Sequence, residues 1–293
     1  METKIALLVV YNHRYDKNIS LINSIYKNKF TYIYHLVPFY DGNLDNVITV
    51  YDSSYYFHNY IAQAYQHLKS LEYTHFFIIA DDMILNPAIN EKNLWQNLNI
   101  TKNDCYISSF IFLQTRTYFW PWITNALKYK RLQPGVEIMD ILPTKEEAIN
   151  KFKKHGFPVG KIPLKRVLTK RLYLFYYCVL KKLPFSLVLD YPLIGGYSDI
   201  FLTTAKEMPR FCQILGAFAA TKLFVEIAIP TALVLTAETI KTDDEVLLKR
   251  GDIWLQDRQV FENNYNNSLS KLLNDFPLDK LYVHPVKLSR WKK

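Results

Sequence analysis

Only eight glycines occur among the 293 residues, and the polar stretch after the first apolar run, YNHRYDKN from Tyr11 to Asn18, contains none. That excludes a glycine-rich loop cradling phosphates at the end of a first strand. Cysteine is rarer still: Cys105, Cys178 and Cys212 are odd in number and far apart, so neither a disulfide framework nor a zinc knuckle is suggested. Crossing a bilayer takes roughly 20 consecutive apolar residues. The longest apolar run of the most basic segment, Leu172 to Leu180, has nine. The start of the chain, KIALLVV running straight into YNHRYDKN, lacks the cationic, apolar, small-residue order of a secretory leader, so a cytoplasmic location is expected. Acidic residues are absent from one region altogether. Between Lys151 and Lys182 there are ten Lys or Arg and no Asp or Glu; the net charge of +9 minus these 10 leaves −1 for the remainder. The basic character is therefore local, and it points to a polyanionic partner: an anionic membrane, a phosphorylated substrate or nucleic acid.

What is present is the composition of a globular protein, 49% apolar and 22% charged, long enough for one large domain or two small ones. The apolar run at 4–11 reads as a buried strand, and Ile19, Leu21, Ile22, Ile25 and Tyr26 recur at helical spacing. Strands follow at 31–39 and 46–51. A long amphipathic helix is marked by Phe57, Tyr60, Ile61, Ala64, Tyr65, Leu68 and Leu71, and another strand by His75 to Ala80. Residues 104–113 and 186–190 and the stretch LIGGYSDIFLT read as further strands, and 206–219 and 224–235 as helices. Apolar strands alternating with helices predict an α/β fold, a doubly wound mixed sheet with helices on both faces, plus a basic helical insertion. Three regions are expected: 1–115, 116–185 carrying the basic and aromatic insertion, and 186–293. In such a sheet ligands gather at the carboxyl ends of the strands. There the fourth strand ends on two adjacent carboxylates, Asp81 and Asp82. A pair of this kind next to a dry core must be solvated or bound to a cation.

The first hundred residues resemble the nucleotide-sugar half of GT-A-type glycosyltransferases. The resemblance rests on a strand ending at Val10-Tyr11-Asn12, a second ending on Tyr40-Asp41-Gly42-Asn43, a helix carrying His58-Asn59, and the strand ending in DDMILNP. Those enzymes close this last strand on a D-x-D motif whose final carboxylate binds manganese or magnesium. The matching triplet here is Ala80-Asp81-Asp82, so Asp82 falls on the metal position, and Asp81 stands beside an alanine where the family has its first acid. The resemblance further implies that Tyr11 packs on a uracil, that Asn12 and Asn59 lie near the nucleotide, and that Asp41 accepts a hydrogen bond from the base. In LYVHPVKLS, His284 and Lys287 are similar to a C-terminal closure in which a histidine completes the metal shell and a lysine holds the diphosphate. In LFVEIAIPTAL, Glu226 stands where such enzymes place a catalytic or acceptor-binding acid.

A nucleotide diphosphate leaving group concentrates negative charge, which a divalent ion stabilises. Mn2+ or Mg2+ held by Asp82 and His284 is thus the expected cofactor, and an imidazole ligand favours manganese over calcium. Glu226 serves either as a base on an acceptor hydroxyl or as a partner of Lys222. Asp199 follows two glycines, so Gly196, Tyr197 and Ser198 form an acceptor-binding bend with Asp199 as a second catalytic candidate, or else a β-bulge. Asp41 is equally at home as a turn residue. The expected activity is transfer of a sugar from a UDP-sugar to a saccharide or lipid-linked saccharide acceptor, by analogy in bacterial surface polysaccharide synthesis. Tyr173, Phe175, Tyr176 and Tyr177 among the cations suit peripheral docking on the anionic inner face of the plasma membrane; a solvated helical insertion is the plain alternative. Two rivals are a nucleotidyltransferase, disfavoured by the missing glycine loop, and a non-enzymatic nucleic-acid-binding protein, for which no reading motif is present. Nucleic acid is therefore not the expected partner.

Overall fold

The structure is a computed structural model describing residues 4–115, 120, 122–138, 140–162 and 188–292. Its first strand, β1 (Ile5–Val10), is buried along its whole length. Alternate residues face opposite ways: Ala6, Leu8 and Val10 enter one core, while Ile5, Leu7, Val9 and Tyr11 enter another. Helix α1 (Ile19–Tyr26) buries Ile19, Ile22, Ile25 and Tyr26, the three-and-four spacing of a one-sided helix. Strand β2 (Tyr32–Pro38) and strand β3 (Val47–Val50) follow, then α2 (His58–Leu68), and then β4 (His75–Ala80), which like β1 is buried throughout. Past the two aspartates, the chain forms β5 (Ile84–Leu85) and α3 (Leu94–Asn97), β6 (Asp104–Ile107) and β7 (Phe110–Ile111).

The middle region supplies α4 (Ile123–Lys128) and α5 (Lys145–Lys154). Thr144 and Glu147 close a reciprocal capping box at the start of α5. Glu146 and Glu147 in its first turn and Lys151, Lys153 and Lys154 in its last complement the helix dipole. Three of the ten cations of the basic stretch are thereby explained as the end of a helix. Lys161 pairs through its backbone with Val188; Lys165, Arg166, Lys170, Arg171, Lys181 and Lys182, with the aromatics between them, lie outside the described residues. The chain returns as β8 (Gly195–Gly196), β9 (Ile200–Thr204), α6 (Met208–Ala220) and α7 (Val225–Thr236). It continues through β10 (Thr239–Lys241), α8 (Arg258–Asn264), α9 (Leu269–Asn274) and β11 (Tyr282–Val283).

Seven strands form one mixed sheet in the order β3-β2-β1-β4-β9-β6-β10. The pairs β1 with β2, β1 with β4, β2 with β3 and β6 with β10 are parallel, whereas β9 runs antiparallel between β4 and β6. The first and last regions of the chain therefore share one sheet and one pair of cores. Helices α2, α6 and α7 cover one face, and α1, α9 and the segment around Trp291 cover the other, so the α/β, doubly wound character is plain. Among the described residues no helix is long and apolar enough to cross a membrane.

The order of connection fixes where a ligand can bind. From β1 the chain moves outward to β2 and β3, then crosses to β4 on the opposite side of β1. The connections diverge at the carboxyl ends of β1 and β4, the edge at which sheets of this kind take their ligands. Because β9 is reversed, its amino end meets this same edge, as the hydrogen bond from Ala80 N to Asp199 O at 2.9 Å shows.

Candidate active site at the carboxyl edge

Asp81 and Asp82 stand at the head of β4, both buried. Asp81 N donates to Val10 O at 2.9 Å, fixing the pair to the end of β1. The chain then enters β5, which pairs antiparallel with β11 and brings His284 and Lys287 back over Asp82. Val286 N donates to Asp82 O at 2.7 Å, and the Asn86 side chain donates to Lys280 O at 2.8 Å, so both ends of the return segment are pinned.

His284 Nε2 lies 2.9 Å from Asp82 Oδ1, and the Lys287 ammonium donates to the second oxygen of the same carboxylate. Burial alone would push the Asp82 pKa up, but the hydrogen bond and charge of His284 and the ammonium of Lys287 outweigh it and hold the group down to about 2. Asp81 goes the other way. Burial first and then the charge of Asp82 push it up to about 7, against a hydrogen bond from the Asn12 backbone. The two neighbours are thus set apart, one firmly ionised and one able to hold a proton at neutral pH. Asp199 is also raised, chiefly by burial, with the charge of His284 opposing and that of Asp82 reinforcing. The imidazole of His284 is raised as well: burial lowers it, but its hydrogen bond to Asp82 and the charges of Asp199 and Asp82 prevail.

The donor set suits a divalent cation. Two ligands that share one ion at about 2.1 Å, roughly at right angles, are about 3 Å apart, close to the observed separation of Asp82 Oδ1 and His284 Nε2. Among the described residues no three His, Cys, Asp or Glu side chains converge into a ready-made cage. Asp82 and His284 are thus two possible ligands, fewer than a hard cation takes in total.

The remaining expected residues are distributed along the same edge. Val10 is buried and gives its carbonyl to Asp81. The Tyr11 ring is turned into the core, with its hydroxyl 2.9 Å from His35 Nδ1, so Tyr11 meets the edge only through its backbone. Asp41 is ion-paired with Arg14, tying the loops after β1 and β2 together. Asn59 donates to Asp52 at the end of β3 at 2.7 Å. Gly196 is enclosed: an added Cβ would stand 2.8 Å from Ser109 O and 2.9 Å from Pro230 Cβ, so its glycine is explained by packing against α7. The buried hydroxyl of Ser198 faces the carbonyls of Gly196 and Val225, at 3.5 and 3.4 Å, which anchors the start of α7 beside β9. Glu226, half-buried, occupies the first turn of α7. Tyr197 places its hydroxyl 2.6 Å from His284 Nδ1.

Two groups of residues escaped the sequence reading. Phe39 and Tyr51, at the ends of β2 and β3, are 58% and 64% exposed and meet edge to face at 5.6 Å. Phe39 holds a φ of +53°, strained for a bulky side chain, and its ring projects into solvent at the ligand edge. The other group comprises Asp243, which accepts from Tyr106 and Ser108, and Asp252, which bridges His284 through its backbone, accepts from Tyr282 and has Arg250 at 3.9 Å; these contacts leave no periodic trace in the sequence. No protein-family model matches this sequence, and none of the curated proteins is significantly similar to it.

Proposed function

We propose that this chain is a GT-A-type glycosyltransferase that moves a sugar from a UDP-sugar to a saccharide acceptor with the help of Mn2+ or Mg2+. The observation that carries the reading is the meeting of Asp81 and Asp82 with His284 and Lys287 at the carboxyl ends of β1 and β4. Two of these groups suit a cation and one suits an anion, and all lie where a doubly wound sheet takes its nucleotide.

On this reading Asp82 and His284 hold the ion, which when bound neutralises charge on the diphosphate. Lys287 is close enough to turn its ammonium from Asp82 to a phosphate oxygen, offsetting the negative charge that grows as the sugar bond breaks. Asn12, Asp41 and Asn59 line the nucleotide side of this edge. Asp199 and Glu226 flank the other side, and either can take the proton of an acceptor hydroxyl; the raised pKa of Asp199 favours it as a proton acceptor. A lipid-linked acceptor in bacterial surface polysaccharide synthesis, met at the inner face of the membrane, fits the basic stretch.

The test is thermal unfolding with UDP-sugars, with and without Mn2+, on the wild type and Asp82→Ala. Ligand at about 100 times its Kd contributes roughly 2.7 kcal/mol, which raises Tm by about 4 °C in a chain of this size. The expected result is a shift in the wild type that needs the metal and is lost in Asp82→Ala. If no nucleotide sugar shifts the wild type, with metal present or chelated, the reading falls.

A further inference from the structure

At the opposite, amino edge of the sheet lies a groove of about 1380 Å³ that the proposed reaction does not use. Lys4 leads into β1, Thr31 into β2 and Thr74 into β4, while residues 27–30 and 87–92 close the sides. The backbone pins this frame: Lys29 N donates to Tyr26 O, Glu91 N to Lys29 O and Thr74 N to Lys4 O, each at 2.8 Å. Glu91 turns its carboxylate to the strand ends, one oxygen accepting from Ile5 N at 3.0 Å and the other from Thr31 N at 3.1 Å. The amino ends of β1 and β2 are thus already bridged by an anion of the chain's own.

Four cations line the groove, Lys4, Lys27, Lys29 and Lys92, against two acids, Glu72 and Glu91, so four minus two leaves +2. Among the described residues none of the four ammoniums has a hydrogen bond or an ion pair. Lys4 is held by rings instead: its Nζ lies 4.8 Å from the centre of Tyr32 and 5.2 Å from that of Tyr73, which positions one charge before any ligand arrives. Lys29 is half-buried, and burial pulls its pKa down, so its charge sits where water reaches it less. An arriving anion supplies the counter-charge missing there. Pockets for single small molecules hold about 300–1,000 Å³, so this groove has room for something longer. Asn28, Thr31 and Tyr32 add an amide and two hydroxyls that match the hydroxyl groups of sugars. Cations drawn from three segments of chain suit negative charge spread along a ligand rather than gathered on one phosphate.

We propose that this groove at the amino edge, with Lys4 and Lys29 as its principal cations, binds an acidic oligosaccharide of a few units that carry negative charge. Such a site holds a saccharide on the far side of the sheet from Asp82 and His284. It stands apart from the donor-binding reading, because nothing in it needs a nucleotide or a metal.

The experiment is isothermal titration calorimetry on the full chain at low salt, with EDTA and without nucleotide. The probes are tetragalacturonate, the neutral maltotetraose and a short oligothymidylate. The wild type is expected to bind tetragalacturonate, more weakly as salt is added, and to bind the other two at least about 10-fold less well. Lys4→Gln and Lys29→Gln should each weaken the binding about 10-fold, and the double variant about 100-fold. Lys29→Gln should unfold at the wild-type temperature or above, since its ammonium has no partner to lose; this separates lost binding from lost folding. A wild type that ignores tetragalacturonate would overturn the proposal. So would maltotetraose bound as tightly, which leaves the cations no task, or oligothymidylate bound as tightly, which makes the groove a nucleic-acid surface. Binding that survives in the double variant would put the saccharide on other cations and overturn it too. With nucleotide and metal absent, none of these outcomes bears on the donor-binding reading.

Discussion

His58 is the sharpest place to test the energetics of this fold. It opens α2 with its side chain fully buried, and neither ring nitrogen has a hydrogen-bond partner in the structure. Burial lowers its pKa to about 3. The unfolded chain, with an ordinary pKa near 6.5, therefore takes up a proton first, so acid favours unfolding. Stability contributed by the neutral ring is complete above about pH 6.5 and is lost as the pH falls toward about 3, at about 1.4 kcal/mol per pH unit. Between pH 7 and pH 4.5 the loss comes to about 3 kcal/mol. His58→Leu removes this dependence and two unpaired polar atoms, so at pH 7 the variant is expected to be at least as stable as the wild type. Urea unfolding followed by tryptophan fluorescence, at half-unit steps of pH, gives the difference between the two proteins. Other groups that titrate in this range, such as Glu207 with its burial-raised pKa, are common to both and cancel. The difference should widen by about 3 kcal/mol on acidification. Two parallel stability curves from pH 7 to pH 4.5 would refute the reasoning.

Three further outcomes follow from the packing. Gly251→Ala forces a Cβ into the Tyr282 carbonyl, so the 249–253 segment must separate from 281–284; a loss of about 2–3 kcal/mol in urea unfolding is expected, with weakened Mn2+ binding. Phe39→Gly relieves the positive φ at little packing cost, because the ring is exposed; Tm should rise by a degree or two, whereas a fall would show the ring to be structural. Thr144→Ala breaks the capping box of α5 and should cost about 1 kcal/mol, read by the same urea titration.

The parts of the fold that could be read from sequence are those built by continuous local pattern. Strands β1 to β4 and helices α1, α2, α6 and α7 fall within a few residues of the expected positions, because each carries a long apolar run or a helical spacing of its own. The second half was harder to read. The stretch 104–113 looks like one strand but is broken at Ser108, whose hydroxyl turns to Asp243, leaving β6 and β7. Of the strand expected at 186–190, the described residues show only the bridge of Val188 to Lys161. Strands β10 and β11 are two or three residues long and exist only because partners far away in sequence accept them. The same division applies to the site. Asp81 and Asp82 stood out because two carboxylates end an apolar run, and His284 and Lys287 because LYVHPVKLS resembles a C-terminal closure; the fold brings the four together. Asp252 and Tyr282 did not, since they meet through a pairing between 249–253 and 281–284 that composition does not encode. Tyr11 shows the converse: position at a strand end was legible, but side-chain direction was not, and the alternation of β1 sends that ring inward.

The distance between Asp82 and its partners, 202 residues to His284 and 205 to Lys287, has a consequence for synthesis. A nascent polypeptide can lay down β1 to β4 long before the ribosome reaches either partner, and until then the carboxylate at the head of β4 has no counter-charge from them. The strand and its buried carboxylate are thus laid down well before the charges that hold the carboxylate ionised, and chains cut short before residue 284 would leave Asp82 buried without either partner.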